Sequence, residues 1–362
     1  GQEIDGTAYF VDEHTVEIKG DDGQTIQLSA DRIIVNTGAR PNVPGNIDGL
    51  GDLLEAGAPF YTSETLMDQE DYPASLTIIG DGFIGLEFAS MFNQFGAKVK
   101  VLSNGDASTF LKSEDRDVAG VVLEALQDQG IEFVFNANTT AAQVEGDQAI
   151  LTVELDGKEE SIQSEAVLVS VGRHANTASL QLDKAGVEVN DRGEIQVNKH
   201  LQTTKDHIFA VGDVKGGPQF TYVSLDDNRI LKDFIFGDGS YNLESRSVIP
   251  TATFIEPSFA SAGITETAAK EAGYEVKVAS LPVVNIPKAK VISRTTGVFK
   301  AVIDAKTNEI LGVRLFGEGA HEIINIITVA MNAHLPYTTL RDQIYTHPTL
   351  AEGLNDLFAM VD

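Results

Sequence analysis

The chain has 362 residues, 42% of them hydrophobic, with 26 basic against 54 acidic side chains and a formal net charge of −28. That charge argues against nucleic acid or an anionic membrane as partner, because both are bound through a basic face, and no apolar run approaches the ~20 residues of a membrane span. Cysteine is absent, which excludes a disulfide framework and thiolate chemistry within these residues and fits a cytoplasmic protein.

Residues 8–11 and 15–18, joined by Asp12-Glu13-His14, predict a hairpin, and residues 25–28 extend it into a small antiparallel sheet. Residues 33–38 predict a buried strand that ends on Thr37 and Gly38. The stretch 39–45 holds Pro41, Pro44 and Gly45 and predicts irregular chain. A short helix is expected over 62–67.

The densest signal lies in residues 76–102. Residues 76–79 are an apolar strand, Gly80, Gly82 and Gly85 fit G-x-G-x-x-G, residues 86–95 have helical spacing closed by Gly96, and residues 99–102 are a second buried strand. In such a unit the first glycine allows a tight turn, the second lets backbone approach a pyrophosphate, and the third lets helix pack on strand. The free N–H groups of the helix start then face the phosphates. Gly80, Gly82, Phe83, Ile84 and Gly85 are therefore candidate contacts to a nicotinamide dinucleotide. At the end of the second strand an acidic residue takes the ribose 2′-OH of NAD, whereas an arginine accommodates the 2′-phosphate of NADP. Ser103 and Asn104 stand there. Their short polar side chains suit either cofactor, so both stay open.

An amphipathic helix is expected over 115–129, ended by Gly130, followed by strands over 131–135, 141–145, 149–155 and 160–164. Residues 166–171 predict an apolar strand ending in Gly172-Arg173, an echo of the Thr37-Gly38 exit. A third such strand, 208–213, ends on Gly212 and Asp213, where a carboxylate can accept from ligand hydroxyls. From 252 onward, residues 252–254, 276–284, 297–303 and 310–316 predict an antiparallel sheet, and 320–333 and 349–360 predict helices. Pro348 suits a first helical position, so His347 is expected at a helix start, with Glu352 able to reach back and orient the imidazole as a base. The other six histidines show no metal-ligand spacing, and no metal site is expected.

Together these pieces resemble the class I, FAD-dependent pyridine nucleotide–disulfide oxidoreductases, the family of glutathione reductase, dihydrolipoamide dehydrogenase and mercuric reductase. The motifs are Ile34-Val35-Asn36-Thr37-Gly38-Ala39-Arg40-Pro41, Gly80-Asp81-Gly82-Phe83-Ile84-Gly85-Leu86-Glu87, Val171-Gly172-Arg173, Ala210-Val211-Gly212-Asp213 and His347-Pro348-Thr349-Leu350-Ala351-Glu352. Residues 219–227, 340–348 and 354–358 look most like the reactive-chlorine and hypothiocyanous acid reductase branch. The resemblance implies an α/β protein with Rossmann-like FAD- and NAD(P)-binding domains and a C-terminal α+β dimerisation domain. It implies FAD binding by residues 1–70 with 175–246, NAD(P) binding by 71–174, and a dimer interface in 247–362. Electrons would pass from NAD(P)H through FAD and a cysteine pair to a disulfide or small oxidant such as hypothiocyanous acid.

In the family, the residue matching Glu87 lies near the flavin, and Gly212 and Asp213 match FAD contacts. Thr37, Gly38, Gly172 and Arg173 match strand exits beside the two cofactors. His347, backed by Glu352, matches a base that serves redox thiols across a homodimer. The resemblance also leads one to expect the family's FAD-binding glycine turn and C-x-x-x-x-C pair ahead of Gly1 in a longer protein, and an inactive chain without them. Two alternatives are a mercuric- or dihydrolipoamide-type reductase and a non-catalytic nucleotide-binding, dimerising fragment. The ending Ala359-Met360-Val361-Asp362 lacks the cysteine pair usual in the mercuric type.

Overall fold

The computed structural model describes residues 1–57 and 59–361. The chain divides into two compact units, residues 1–42 with 173–247 and residues 43–172 with 248–362.

In the first unit, strands Thr7–Phe10, Thr15–Lys19 and Thr25–Ser29 form the expected antiparallel sheet, with Thr7 opposite Lys19 and Thr15 opposite Ser29. Ile33–Val35 pairs in parallel with Ile208–Ala210. Val35 is buried but Ile34 is 53% exposed, which corrects the expectation of a buried strand. Successive side chains of a strand alternate between faces, and Val35 packs with Phe10, Ile208 and Ala210 while Ile34 points away. Ala39–Pro41, expected to be irregular, is a short strand antiparallel to Arg173–Ala175. Its partner lies some 130 residues on, and the proline sits at the strand end of a two-stranded pair, where no ladder bond is lost. The helix Thr221–Phe236 was not legible as a helix. Asp226, Asp227, Arg229 and Asp233 interrupt its apolar stripe, yet Asp227 is fully buried and Ile230 and Leu231 pack beside it in the core.

The second unit carries a five-stranded parallel sheet in the order Phe60–Thr62, Ala166–Val169, Ser75–Ile79, Lys98–Leu102, Glu132–Val134. Leu76, Ile78, Val101 and Leu168 bury against Leu86, Ala89 and Phe92 of the helix Phe83–Gln94 and Val122 and Leu126 of the helix Arg116–Asp128. Each such side chain contributes about 1.5–3 kcal/mol when fully buried. The antiparallel strands Asn138–Glu145, Gln148–Leu155 and Lys158–Ser164 follow as expected.

A second sheet of this unit has the order Thr251–Thr253, Phe259–Gly263, Ile310–Phe316, Val298–Asp304, Val276–Pro282. Its second strand, Phe259–Gly263, was missed in the sequence because Ser261, Ala260, Ala262 and Gly263 lack β-branched bulk. Small side chains fit there because Ala260 and Ala262 are fully packed beneath the helix Ala320–Asn332. The helix expected over 349–360 is shorter, Gly353–Ala359. Among the described residues no helix is long and apolar enough to cross a membrane.

Candidate functional site

The glycine turn follows strand Ser75–Ile79 directly. Its helix starts at Phe83, three residues earlier than the periodicity suggests, with Gly82 as N-cap. Gly85 therefore lies in the first helical turn, where helical contacts at the start are set by the turn rather than by an apolar stripe. The three glycines differ physically. Gly80 has φ +107°, and a Cβ there would lie 2.7 Å from the Ser170 carbonyl oxygen. A Cβ on Gly85 would lie 2.7 Å from Ser170 Oγ and closer still to the Gly80 carbonyl oxygen. Gly82 has an ordinary φ of −73° and open space where its Cβ would stand. Gly80 and Gly85 thus shape the fold, while at Gly82 the missing side chain leaves room for something that is not protein.

That room is a pocket of about 420 Å³ lined by Asp81, Gly82, Phe83, Ser103, Asn104 and the loop residues Thr109, Leu111, Lys112 and Ser113. Phe83 is 43% exposed on its lip, and Ile84 packs partly against the core. Ser103 is turned inward: it is 2% exposed, and its hydroxyl donates to Asp81 Oδ2 at 2.9 Å. Asn104 is exposed. An open cavity at the N-terminus of a helix, floored by a glycine without a clash, fits the pyrophosphate and ribose of a dinucleotide. Lys112 and Ser113 escaped the sequence reading. They sit on a loop eight or more residues past the strand end, and no periodicity marks them.

Glu87 is half-buried on the same helix, and its Oε1 accepts from the Phe254 N–H at 2.8 Å. It faces a groove of about 560 Å³ shared with Met67, Phe88, Met91, Phe95 and Phe254. Burial raises its carboxyl above the ordinary value, with the Phe254 N–H pulling the other way. A raised acid binds its proton more tightly folded than unfolded, so charging it costs stability as pH climbs above the ordinary carboxylate range. Glu87→Gln keeps the acceptor oxygen and removes the charge. Its melting temperature should exceed the parent's at about pH 8, with the gap closing toward about pH 4. A gap that does not vary with pH would show that the charge carries no burial cost.

In the other unit, Gly212 has φ +68°, and a Cβ there would meet Asn36 Oδ1 at 2.6 Å. Its N–H donates to Asp227 Oδ2 at 2.7 Å. Asp227 is fully buried between Lys215, at 3.3 Å, and the guanidinium of Arg246, which also pairs with Asp226 at 2.7 Å. This ion network fixes the strand exit and was not anticipated, because its members are spread over thirty residues with no motif. Asp213 itself is half-exposed, and among the described residues no hydrogen bond or ion pair holds its carboxylate. An uncommitted acid at a rigid exit fits a ligand hydroxyl. Thr37 and Gly38 are tied to Asn176, Thr37 Oγ1 donating to its carbonyl at 2.8 Å and the Gly38 carbonyl accepting its N–H at 2.9 Å. Arg173 donates to the Ala39 carbonyl at 2.5 Å. Gly172 has φ +101°.

His347 and Glu352 meet as expected, Nδ1 to Oε2 at 2.7 Å. The setting differs from the expected helix start. The helix begins at Gly353 with Glu352 as N-cap, because Thr349 and Glu352 bond each other first: the Thr349 N–H donates to Glu352 Oε1 at 3.2 Å and the Glu352 N–H to Thr349 Oγ1 at 3.3 Å. His347 stands in the turn before it. Its side chain is 69% exposed, while that of Glu352 is 16% exposed, so an anchored acid steers an accessible imidazole.

Residues 2–227 match the pyridine nucleotide-disulphide oxidoreductase family and residues 249–358 match its dimerisation domain. The chain belongs to the class I pyridine nucleotide-disulfide oxidoreductases, a family of flavoproteins that use FAD and NAD(P)H, and within it to the RclA branch. It is 41% identical over 99% of its length to the probable pyridine nucleotide-disulfide oxidoreductase RclA of Escherichia coli K12, of which it covers 78%. It is 38% identical to a mercuric reductase of Bacillus cereus, matching 97% of this chain and about half, 53%, of that enzyme. A solved structure of the HOCl-induced flavoprotein disulfide reductase RclA from Escherichia coli superposes with a TM-score of 0.91 at 41% identity, over 99% of this chain and 79% of that one. The Cu(II) complex of that protein gives 0.92 over the same shares.

Proposed function

We propose that this chain serves an NAD(P)H-dependent flavoprotein oxidoreductase that passes reducing equivalents to a disulfide or a small oxidant such as hypothiocyanous acid, and that it works as a homodimer. Residues 71–174 bind the nicotinamide dinucleotide, residues 1–70 with 175–246 contribute to the FAD site, and residues 247–362 form the pairing surface. The observation that carries this reading is the open floor at Gly82, framed by glycines that tolerate no side chain, in a chain of this family. The helix start at Phe83 would hold the pyrophosphate, with Asn104 beside the ribose. Asp213, Gly212, Thr37, Gly38 and Arg173 would hold FAD, with Gly172 at the strand exit on the dinucleotide side. FAD, when bound, supplies the two-electron relay. Glu87 contributes a half-buried carboxylate near it, and His347, steered by Glu352, carries protons for redox thiols.

Because these residues include no cysteine, they supply no thiolate to take electrons onward. The chain by itself is expected to quench or shift NAD(P)H fluorescence on titration, to hold FAD weakly, and to consume no NAD(P)H in the presence of a disulfide or hypothiocyanous acid. Joined to the part of the Escherichia coli relative that it does not match, it should gain flavin absorbance and turnover together, and His347→Ala should then slow the thiol steps. Light scattering at micromolar concentration should give a dimer. A chain that binds no dinucleotide, or that turns over the oxidant without any thiol, would refute the reading.

A further inference from the structure

The sequence leaves the choice between NADH and NADPH open, since neither Ser103 nor Asn104 carries a charge. The folded chain brings a charge to the same place. Among the described residues lining the pocket at Gly82, Lys112 is the single cation. We propose that Lys112 reads the 2′-phosphate of NADP, so that this site favours NADPH over NADH. The proposal rests on the reading of Gly80, Gly82 and Gly85 as a dinucleotide turn.

Of the charges on the loop that follows strand Lys98–Leu102, Lys112 is the one left uncommitted among the described residues. That loop and the start of the next helix hold four acids and two cations. Asp106 is spent on a local turn, accepting from the Ser108 N–H at 2.8 Å. Glu114 pairs with Arg314 at 2.8 Å, and Asp115 and Asp117 pair with the buried Lys300 at 3.5 and 3.0 Å. Arg116, the side chain best suited to a phosphate by type, is committed elsewhere. Its guanidinium donates to the carbonyl oxygens of Ser108 at 2.6 Å, Phe110 at 2.7 Å and Glu114 at 2.9 Å, and to that of Leu111. The Arg116 bonds staple the loop into one shape, while Arg314 and Lys300 offset Glu114, Asp115 and Asp117. Lys112 is exposed and, among the described residues, pairs with nothing.

On the facing wall, Asp81 is the one acid of the pocket, and it accepts the Ser103 hydroxyl. The strand end itself carries Ser103 and Asn104 rather than an acidic residue, and one oxygen of the nearby Asp81 is occupied by the Ser103 hydroxyl. A lysine ammonium is a point charge that suits a phosphate dianion. The pocket that Lys112 lines also holds Ser103 and Asn104 at the end of the second strand, where the adenosine ribose of such a unit lies.

The test is fluorescence titration of NADPH and NADH on the parent, Lys112→Ala and Lys112→Glu. Adenosine 2′,5′-bisphosphate and 5′-AMP serve as competing probes of the ribose subsite alone. Lys112→Ala should weaken NADPH and the bisphosphate about tenfold, and Lys112→Glu further, with NADH and AMP within about twofold of the parent. The exposed position predicts unchanged melting temperatures. Both dinucleotides binding with a ratio that neither variant alters would overturn the proposal. So would an equal loss of both, which would make Lys112 a contact to the shared pyrophosphate. Failure of the parent to bind either dinucleotide would instead bring down the underlying reading of the glycine turn.

Discussion

Gly85→Val is expected to remove the dinucleotide site together with about 1–3 kcal/mol of stability, whereas Gly82→Ala should remove the site and leave the stability alone. The difference follows from what each new Cβ meets. At Gly85 it runs into Ser170 Oγ at 2.7 Å and into the backbone of Gly80, which follow the paired strands Ala166–Val169 and Ser75–Ile79, so the helix must back away from the sheet. Ser170 cannot yield easily, because its Oγ donates to the Ile79 and Gly80 carbonyls at 3.2 Å. At Gly82 the Cβ enters the open pocket and touches no protein atom, so it displaces a ligand and nothing else. Thermal denaturation and NAD(P)H titration on both variants make the check. A Gly82→Ala protein that binds the dinucleotide as the parent does would show that the open floor is not where the cofactor lies.

A larger effect is expected at a residue that touches no cofactor. Asp227→Ala should destabilise the unit formed by residues 1–42 and 173–247 by about 3–5 kcal/mol, the cost of stranding buried charge. Three groups depend on this one carboxylate: Lys215, 6% exposed at the side chain, Arg246, 9% exposed, and the N–H of Gly212. Removing it leaves Arg246 with Asp226 and takes from Lys215 the acid it pairs with, and frees the exit on which Asp213 stands. Asp227→Asn offers a milder case, retaining an acceptor for Gly212 while losing the charge. Urea denaturation should rank parent, Asn and Ala in that order. Equal midpoints for all three would mean that the network is not what holds this unit together.

Most of the elements were legible because local chemistry decided them. In the turn, Gly80 needs a conformation and Gly80 and Gly85 need clearances that glycine alone provides, so these letters are set locally. The strand before it is buried over residues 76–79, and the strand after it buries Val99, Val101 and Leu102 while Lys100 stays partly exposed, so both are marked by their apolar residues. The contact between His347 and Glu352 was legible as well, since five residues separate them and a turn closes the distance. The start of the helix beyond them was not. Thr349 and Glu352 compete for the same backbone groups that a helix begun at Pro348 would use, and that competition is settled by geometry rather than by residue type.

What escaped the sequence lies where partners are far apart along the chain. Nothing local to Asp227 or Arg246 marks them as partners, yet Asp227 is fully buried against Arg246, Lys215 and the Gly212 N–H. Lys300 and Arg314 lie in strands and are nearly fully buried, where they anchor Asp115, Asp117 and Glu114 from about 180 to 200 residues away. By itself the sequence determined the glycine turn, the family and the absence of any thiol within these residues, because each depends on residue identity or on neighbours a few positions away. Tertiary structure alone decided which charges remain free. A charge is spent or left over according to what is packed against it, and in a chain of net charge −28 that decision left Lys112 facing the pocket.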